Sequence, residues 1–187
     1  MTFADYWKGI VLKQITIVAI VIIAITIVTA GTFAYLTYGS GTLEIQVTDP
    51  PADWNSATGI LLNYSAIEVH KADAADNQSG WQTVISTSGV INLTQMLDVN
   101  KTLGSGGLQA GKYNLIRFST VKAIVTIGNV NYTATVPPDK LQVAITQGGI
   151  QIGAGRTSRL LIDLNIRVEG TIENGLIVVP DIRATPI

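Results

Sequence analysis

From Ile15 to Tyr38 the chain carries no charged residue. As a helix rising about 1.5 Å per residue, such a run extends roughly 36 Å, enough to cross a hydrocarbon layer of about 30 Å. Lys8 and Lys13 precede it, and Glu44 is the first acid after it. Tyr6 and Trp7 stand at one end and Tyr35 and Tyr38 at the other, where amphipathic rings favour a membrane–water interface. Basic residues on the N-terminal side place Met1 in the cytoplasm and everything after Gly39 outside. The run is longer and more uniformly apolar than the core of a secretory signal, so a cleaved signal is the weaker reading.

Thr26, Ala30 and Ala34 recur every four residues and share one helix face. Small side chains in a stripe let helices approach closely where no hydrophobic effect drives them together. Packing against copies of the same helix is one reading. The other is that small residues are common in any membrane helix.

The formal net charge of -1 leaves no basic field for nucleic acid. Cys is absent, so a domain outside the cell must rest on burial and backbone pairing. Only 13% of residues are charged, and the polar surface falls to Thr, Ser, Asn, Gln and Gly. Five asparagines, Asn63, Asn77, Asn92, Asn100 and Asn131, lie in N-x-[ST] sequons and are candidate N-glycosylation sites. Asn92, between Ile91 and Leu93, is the least accessible by pattern.

The catalytic inventory is poor. The single histidine, His70, is expected to end a strand in an exposed position, with no G-x-S-x-G elbow to pair with it. Gly104-Ser105-Gly106-Gly107 lacks the Lys-Ser/Thr of a phosphate-binding loop and is expected to be a mobile loop. Asp73, Asp76 and Asn77 offer hard oxygens on a polar loop and form a weak Ca²⁺ candidate; a solvated turn explains them as well. No metal, no cofactor and no enzymatic activity are expected.

After the apolar run the period changes. Gly39-Ser40-Gly41 reads as a flexible hinge at 39–41. Leu43, Ile45 and Val47 then alternate with polar residues, as in a half-buried strand. Strand patterns recur at 60–70, 81–86, 112–120, 121–128 and 131–136, with Gly-rich loop sequence at 100–111. The cleanest is 157–169, with Leu160, Ile162, Leu164, Ile166 and Val168 on one face. Trp54 and Trp81 read either as exposed adhesive aromatics or, the stronger reading, as packed in the core of a sandwich. Many short strands separated by Gly/Pro turns predict an antiparallel β-sandwich of Ig-like, Greek-key type.

Two resemblances add to this reading. Lys8-Gly9-Ile10-Val11 resembles the cleavage site of archaeal type IV prepilins, where a short basic leader ends just before the hydrophobic helix. It implies processing between Gly9 and Ile10. Further on, Gly41-Thr42-Leu43, Val47-Thr48-Asp49-Pro50-Pro51, Trp81 and Leu108-Gln109-Ala110-Gly111-Lys112-Tyr113 stand with Ile116-Arg117-Phe118, Ala154-Gly155 and Val178-Val179-Pro180. This set resembles the family known as domain of unknown function 4382. That resemblance implies a surface-exposed β-sandwich and brings no activity. Pro50 departs from the family pattern, which more often has Ala there.

The expected organisation is a possible leader at 1–9, a hydrophobic helix at 10–38, the hinge at 39–41 and an extracellular β-sandwich at 42–187. The expected function is a type IV pilus-like filament subunit with a role in adhesion. It would sit in the cytoplasmic membrane with its C-terminal domain outside before assembly, and then pack its helix against copies of itself in an extracellular pilus at the cell surface. The alternative is a single-pass anchored surface protein whose sandwich binds a ligand or envelope polymer.

Overall fold

The computed structural model of the chain describes residues 3–48, 54–75, 79–96, 99–119 and 121–187. The apolar run is one unbroken helix, α1 (Phe3–Tyr38), continuous through Gly9 and Gly31. No proline interrupts it. Its hydroxyls are turned back onto its own backbone: Thr26 Oγ1 donates to the Ile22 carbonyl at 2.9 Å, Thr29 to Ile25 at 2.9 Å and Thr32 to Val28 at 2.7 Å. These bonds turn the hydroxyls of Thr26, Thr29 and Thr32 inward onto the helix backbone, so that this part of the helix presents an apolar surface.

Strands β1 (Ser40–Thr48), β2 (Ala57–Tyr64), β3 (Ala66–Lys71), β4 (Trp81–Ile85) and β5 (Gly89–Asn92) follow. After a 3-10 turn at Leu93–Gln95 come β6 (Lys101–Gln109), β7 (Gly111–Ser119), β8 (Lys122–Ile127) and β9 (Val130–Thr135). A second 3-10 turn, Pro138–Lys140, leads to β10 (Gln142–Ala144), β11 (Ile150–Ile152), β12 (Thr157–Thr171) and β13 (Gly175–Pro186). They form a sandwich. An eight-stranded sheet runs β5-β2-β8-β9-β13-β12-β1-β6, and a five-stranded one runs β10-β7-β3-β4, with β11 also on β7. The core lies between them. Leu160, Ile162, Leu164, Ile166 and Val168 of β12 are buried as their alternation predicts, facing Ile67, Val69 and Ile116 of the smaller sheet within one apolar cluster.

Four features depart from the sequence reading. Residues 39–41 are not a free hinge. Ser40 and Gly41 already pair with Gln109 and Leu108 of β6, and Gly39 accepts from the Ala110 N–H at 2.7 Å. The region 60–70 is two strands in different sheets. It switches at Ser65, whose N–H bonds to the Ser119 carbonyl at 3.0 Å. The Gly-rich stretch 100–111 is β6, antiparallel to β1. A side chain at Gly106 would collide with the Val84 carbonyl of β4, so glycine here serves close approach between the two sheets rather than mobility. Finally, β1 lies parallel to β12, from Thr42↔Thr157 to Thr48↔Asp163, in an otherwise mostly antiparallel fold. Alternation alone carries no information about strand direction.

Candidate functional site

Three places concentrate chemistry: the helix with its junction to the sandwich, the outer face of the smaller sheet, and a cleft beside β12 and β13. At the junction the last helical turn is followed at once by sheet. The Gly39 N–H bonds to the Tyr35 carbonyl at 2.9 Å, the Gly155 N–H to the Ser40 carbonyl at 2.8 Å and the Thr42 N–H to the Arg156 carbonyl at 2.9 Å. The β11–β12 loop, 153–156, therefore wraps the start of β1. Its small residues make this possible. A side chain at Gly41 would meet the Gly153 and Arg156 carbonyls, and one at Gly155 would meet the Tyr35 hydroxyl. Gly155 has φ +68, which a residue with a Cβ rarely adopts.

Lys13–Tyr35 has the length and hydropathy of a membrane span, and none of it is buried against the rest of the protein. Thr26, Ala30 and Ala34 are exposed on the helix surface, and nothing lies within 4 Å of where a side chain at Gly31 would begin. Gly9 and Ile10 are helical.

On the smaller sheet, cross-strand register brings together residues far apart in sequence. Glu68 of β3 lies opposite Arg117 of β7, and His70 opposite Trp81 of β4. Glu68 Oε2 accepts from Arg117 Nε at 2.8 Å and from Ser119 Oγ at 2.7 Å. The Arg117 hydrogen bond holds the Glu68 carboxyl below its usual range, with burial opposing it and the Ser119 hydroxyl adding to it. The Arg117 guanidinium sits 4.0 Å over the Trp81 ring, and Trp81 meets His70 edge-on with ring centroids 5.1 Å apart. His70 is 4% exposed, which corrects the expectation of an exposed strand-end histidine: Trp81 and the Gly80 turn cover it. Trp81 itself is half-buried on this outer face rather than in the core, while Trp54 packs partly buried against the core. Since Glu68 bonds both Arg117 and Ser119, and Arg117 stacks on Trp81, the constellation works as a clasp across β4, β3 and β7. The sequence shows its members only as unremarkable alternating positions; register alone assembles them.

A third group lines an open cleft of about 500 Å³ beside β12 and β13, including Asp163, Asn165, Asp181 and Arg183. Asp163 Oδ1 is buried without a hydrogen-bond partner among the described residues. Burial raises the Asp163 carboxyl above its usual range; Arg183 pulls it down and Asp181 pushes it up by smaller amounts. Deeper in the domain, burial first and the Asp73 charge second push the Tyr113 hydroxyl up to about 12. That hydroxyl donates to Gln82 Oε1 at 2.8 Å or to the Gln109 carbonyl at 3.0 Å, tying β7 to β4, two strands away in the same sheet, or to β6 of the other sheet.

The remaining sequence candidates fall apart spatially or lie beyond view. Asp73 is exposed and paired with Lys71 at 3.5 Å, while Asp76 and Asn77 lie outside the described residues. No group of three His, Cys, Asp or Glu suited to a metal occurs among the described residues. Of the sequon asparagines, Asn100 and Asn131 are exposed, and Asn131 Oδ1 accepts from Thr126 Oγ1 at 2.8 Å. Asn63 and Asn92 are half-buried in β2 and β5.

No match to the chain was found among curated proteins or among solved structures. A family model does match, over residues 40–180, from the first residue of β1 into β13. The sandwich, and with it the chain, belongs to the family described as domain of unknown function (DUF4382).

Proposed function

We propose that this chain is a surface protein held in a membrane by α1, with its β-sandwich displayed on the outer side. One observation carries the reading: the span Lys13–Tyr35 is apolar on all sides, yet no part of it is buried by the protein's own fold. A helix apolar all round requires lipid or other helices around it. The sandwich contributes a display or binding role rather than catalysis. Its only histidine is packed under Trp81, and the Glu68–Arg117 pair is engaged in holding β3 to β7, with Arg117 also stacked on Trp81 of β4.

Assembly of the helices into a type IV pilus-like filament is the second reading. It is favoured by the stripe of Thr26, Ala30 and Ala34 and by the Gly9–Ile10 junction within ten residues of Met1. Mass spectrometry of the native N-terminus, with fractionation of cells into membrane and sheared surface material, separates the two. An intact leader in carbonate-resistant membranes supports the anchor. A chain beginning at Ile10 in sheared filaments supports the polymer and displaces the first reading. Recovery in the soluble fraction alone overturns both.

A further inference from the structure

We infer that the helix-side pole of the sandwich rests directly on anionic lipid headgroups through Lys112 and Arg156; this rests on the membrane-anchored reading above. The vertical position of that pole is fixed by contact. Tyr35 closes the apolar span, and its hydroxyl meets the backbone at Gly155. A span of 23 residues is about 35 Å long as a helix, so once it fills the hydrocarbon its terminal tyrosine stands at headgroup level. The 153–156 loop stands there with it, and no linker separates the two: Gly39, Ser40 and Thr42 are all hydrogen-bonded to neighbouring segments.

Charge at this pole has the sign that headgroup phosphates require. Lys71, Lys112, Arg156 and Arg159 all lie here. Lys112 is paired in register with Gln151 of β11, Lys71 lies against Gly111, Arg156 ends the loop before β12 and Arg159 lies near the start of that strand. Two of the four are already neutralised, Lys71 by Asp73 at 3.5 Å and Arg159 by Glu44 at 3.6 Å. Lys112 and Arg156 are exposed, and neither has a carboxylate within 4.0 Å among the described residues. Around them the pole is made small: Gly148, Gly149, Gly153, Ala154 and Gly155 present little beyond backbone. Gly148 lies 3.8 Å from the Lys112 ammonium, measured from where its side chain would begin. Two cations without a carboxylate partner among the described residues, on a low, glycine-rich rim beside the emerging helix, match a plane of phosphodiesters. The result is a domain held against the bilayer rather than swinging from it.

The test uses the full chain, whose lack of cysteine allows a single label at Thr157→Cys, an exposed position next to Arg156. The protein is reconstituted into vesicles of phosphatidylcholine, with or without phosphatidylglycerol, that carry a headgroup-attached quencher. Quenching is expected to be stronger with phosphatidylglycerol and to weaken at high salt, where the screening length falls to about 3 Å near 1 M. Lys112→Gln and Arg156→Gln should each reduce the excess quenching by about fivefold, the effect of one basic side chain near an anionic surface. Both side chains make no described polar contact, so far-ultraviolet circular dichroism of the variants should be unchanged. Equal quenching in the two lipids, or insensitivity to both substitutions, overturns the lipid contact while leaving the anchor intact. Failure of the protein to float with either vesicle overturns the anchor, and this inference with it.

Discussion

Gly31 and Gly106 mark the difference between the two halves of this molecule. A side chain added at Gly31 meets nothing within 4 Å, whereas one added at Gly106 runs into the Val84 carbonyl. The helix is shaped for surroundings the chain does not itself provide, and the sandwich is shaped for itself. Both are rich in isoleucine and valine, but the run from Ile15 to Tyr38 holds no charge and the sandwich does. Period separates them further. Within that run apolar residues fall on every face of the helix, while β12 buries the face made by every second residue.

This contrast is breakable. The largest effect is expected from Ile162→Ala in β12, fully buried at 0% exposure. Truncation of a core isoleucine costs about 2–5 kcal/mol, or roughly 5–20 °C in the unfolding midpoint of a domain this size. The matching change in the helix, Ile22→Ala, should leave the unfolding of the sandwich where it was. Near-ultraviolet circular dichroism during thermal unfolding in detergent reads both, and equal responses would erase the distinction. Gly106→Val comes next. Overpacking at a well-filled contact costs about 1–3 kcal/mol, here by driving β6 and β4 apart, and Tyr113, which bridges these strands, should become more accessible to chemical modification. Wild-type stability in this variant would mean that the glycines of β6 are not there for close packing.

Two carboxylates sharpen the comparison inside the sandwich, because their signs are opposite. Glu68 has a lowered folded pKa. Its contribution is fully present above the unfolded value, about 4.3, and is lost as pH falls through the folded value. Glu68→Gln should therefore destabilise at neutral pH, by an amount that shrinks toward zero in acid. Asp163 has a raised folded pKa, so its ionised form weakens the folded state at neutral pH and the penalty lifts as pH falls through that raised value. Asp163→Asn should stabilise at neutral pH and match the parent below about pH 3. Denaturant titrations across pH decide both, and parallel pH profiles for the two variants would refute the assignment. The smallest effect belongs to Gly31→Ala. With open space around it, the substitution should change sandwich unfolding by less than about 0.5 kcal/mol, and a larger loss would place a partner against that helix face within the isolated chain.

What was legible in the sequence follows the same division. The helix could be read because an uncharged run of this length has few alternatives, and β12 because its alternation is long. β6 was not legible: Gly104, Gly106 and Gly107 remove the side chains on which a period depends, and the same glycines that suit a loop suit a strand pressed against another sheet. The switch at Ser65 was hidden for a related reason, since apolar residues continue on both sides while the sheet they serve changes. His70 was misplaced because its burial depends on Trp81, eleven residues on and opposite only once the hairpin has formed. The Arg117 stack on Trp81 spans still more chain. Local pattern gives the face of a strand; it does not give the neighbour.

The parallel pairing of β1 with β12 has a mechanical consequence. Any pull transmitted through the helix enters the sandwich at Ser40, the first residue of β1. Any pull on the opposite pole enters at the far end of β12, about 50 Å of strand away at the usual rise. With the two strands parallel, those loads draw β1 lengthwise between its neighbours. Seven residue pairs with β12 and eight with β6 must then slip together, and none can peel away first. Traction between the helix and the opposite pole therefore loads the central strands in shear, the direction in which a sheet yields last.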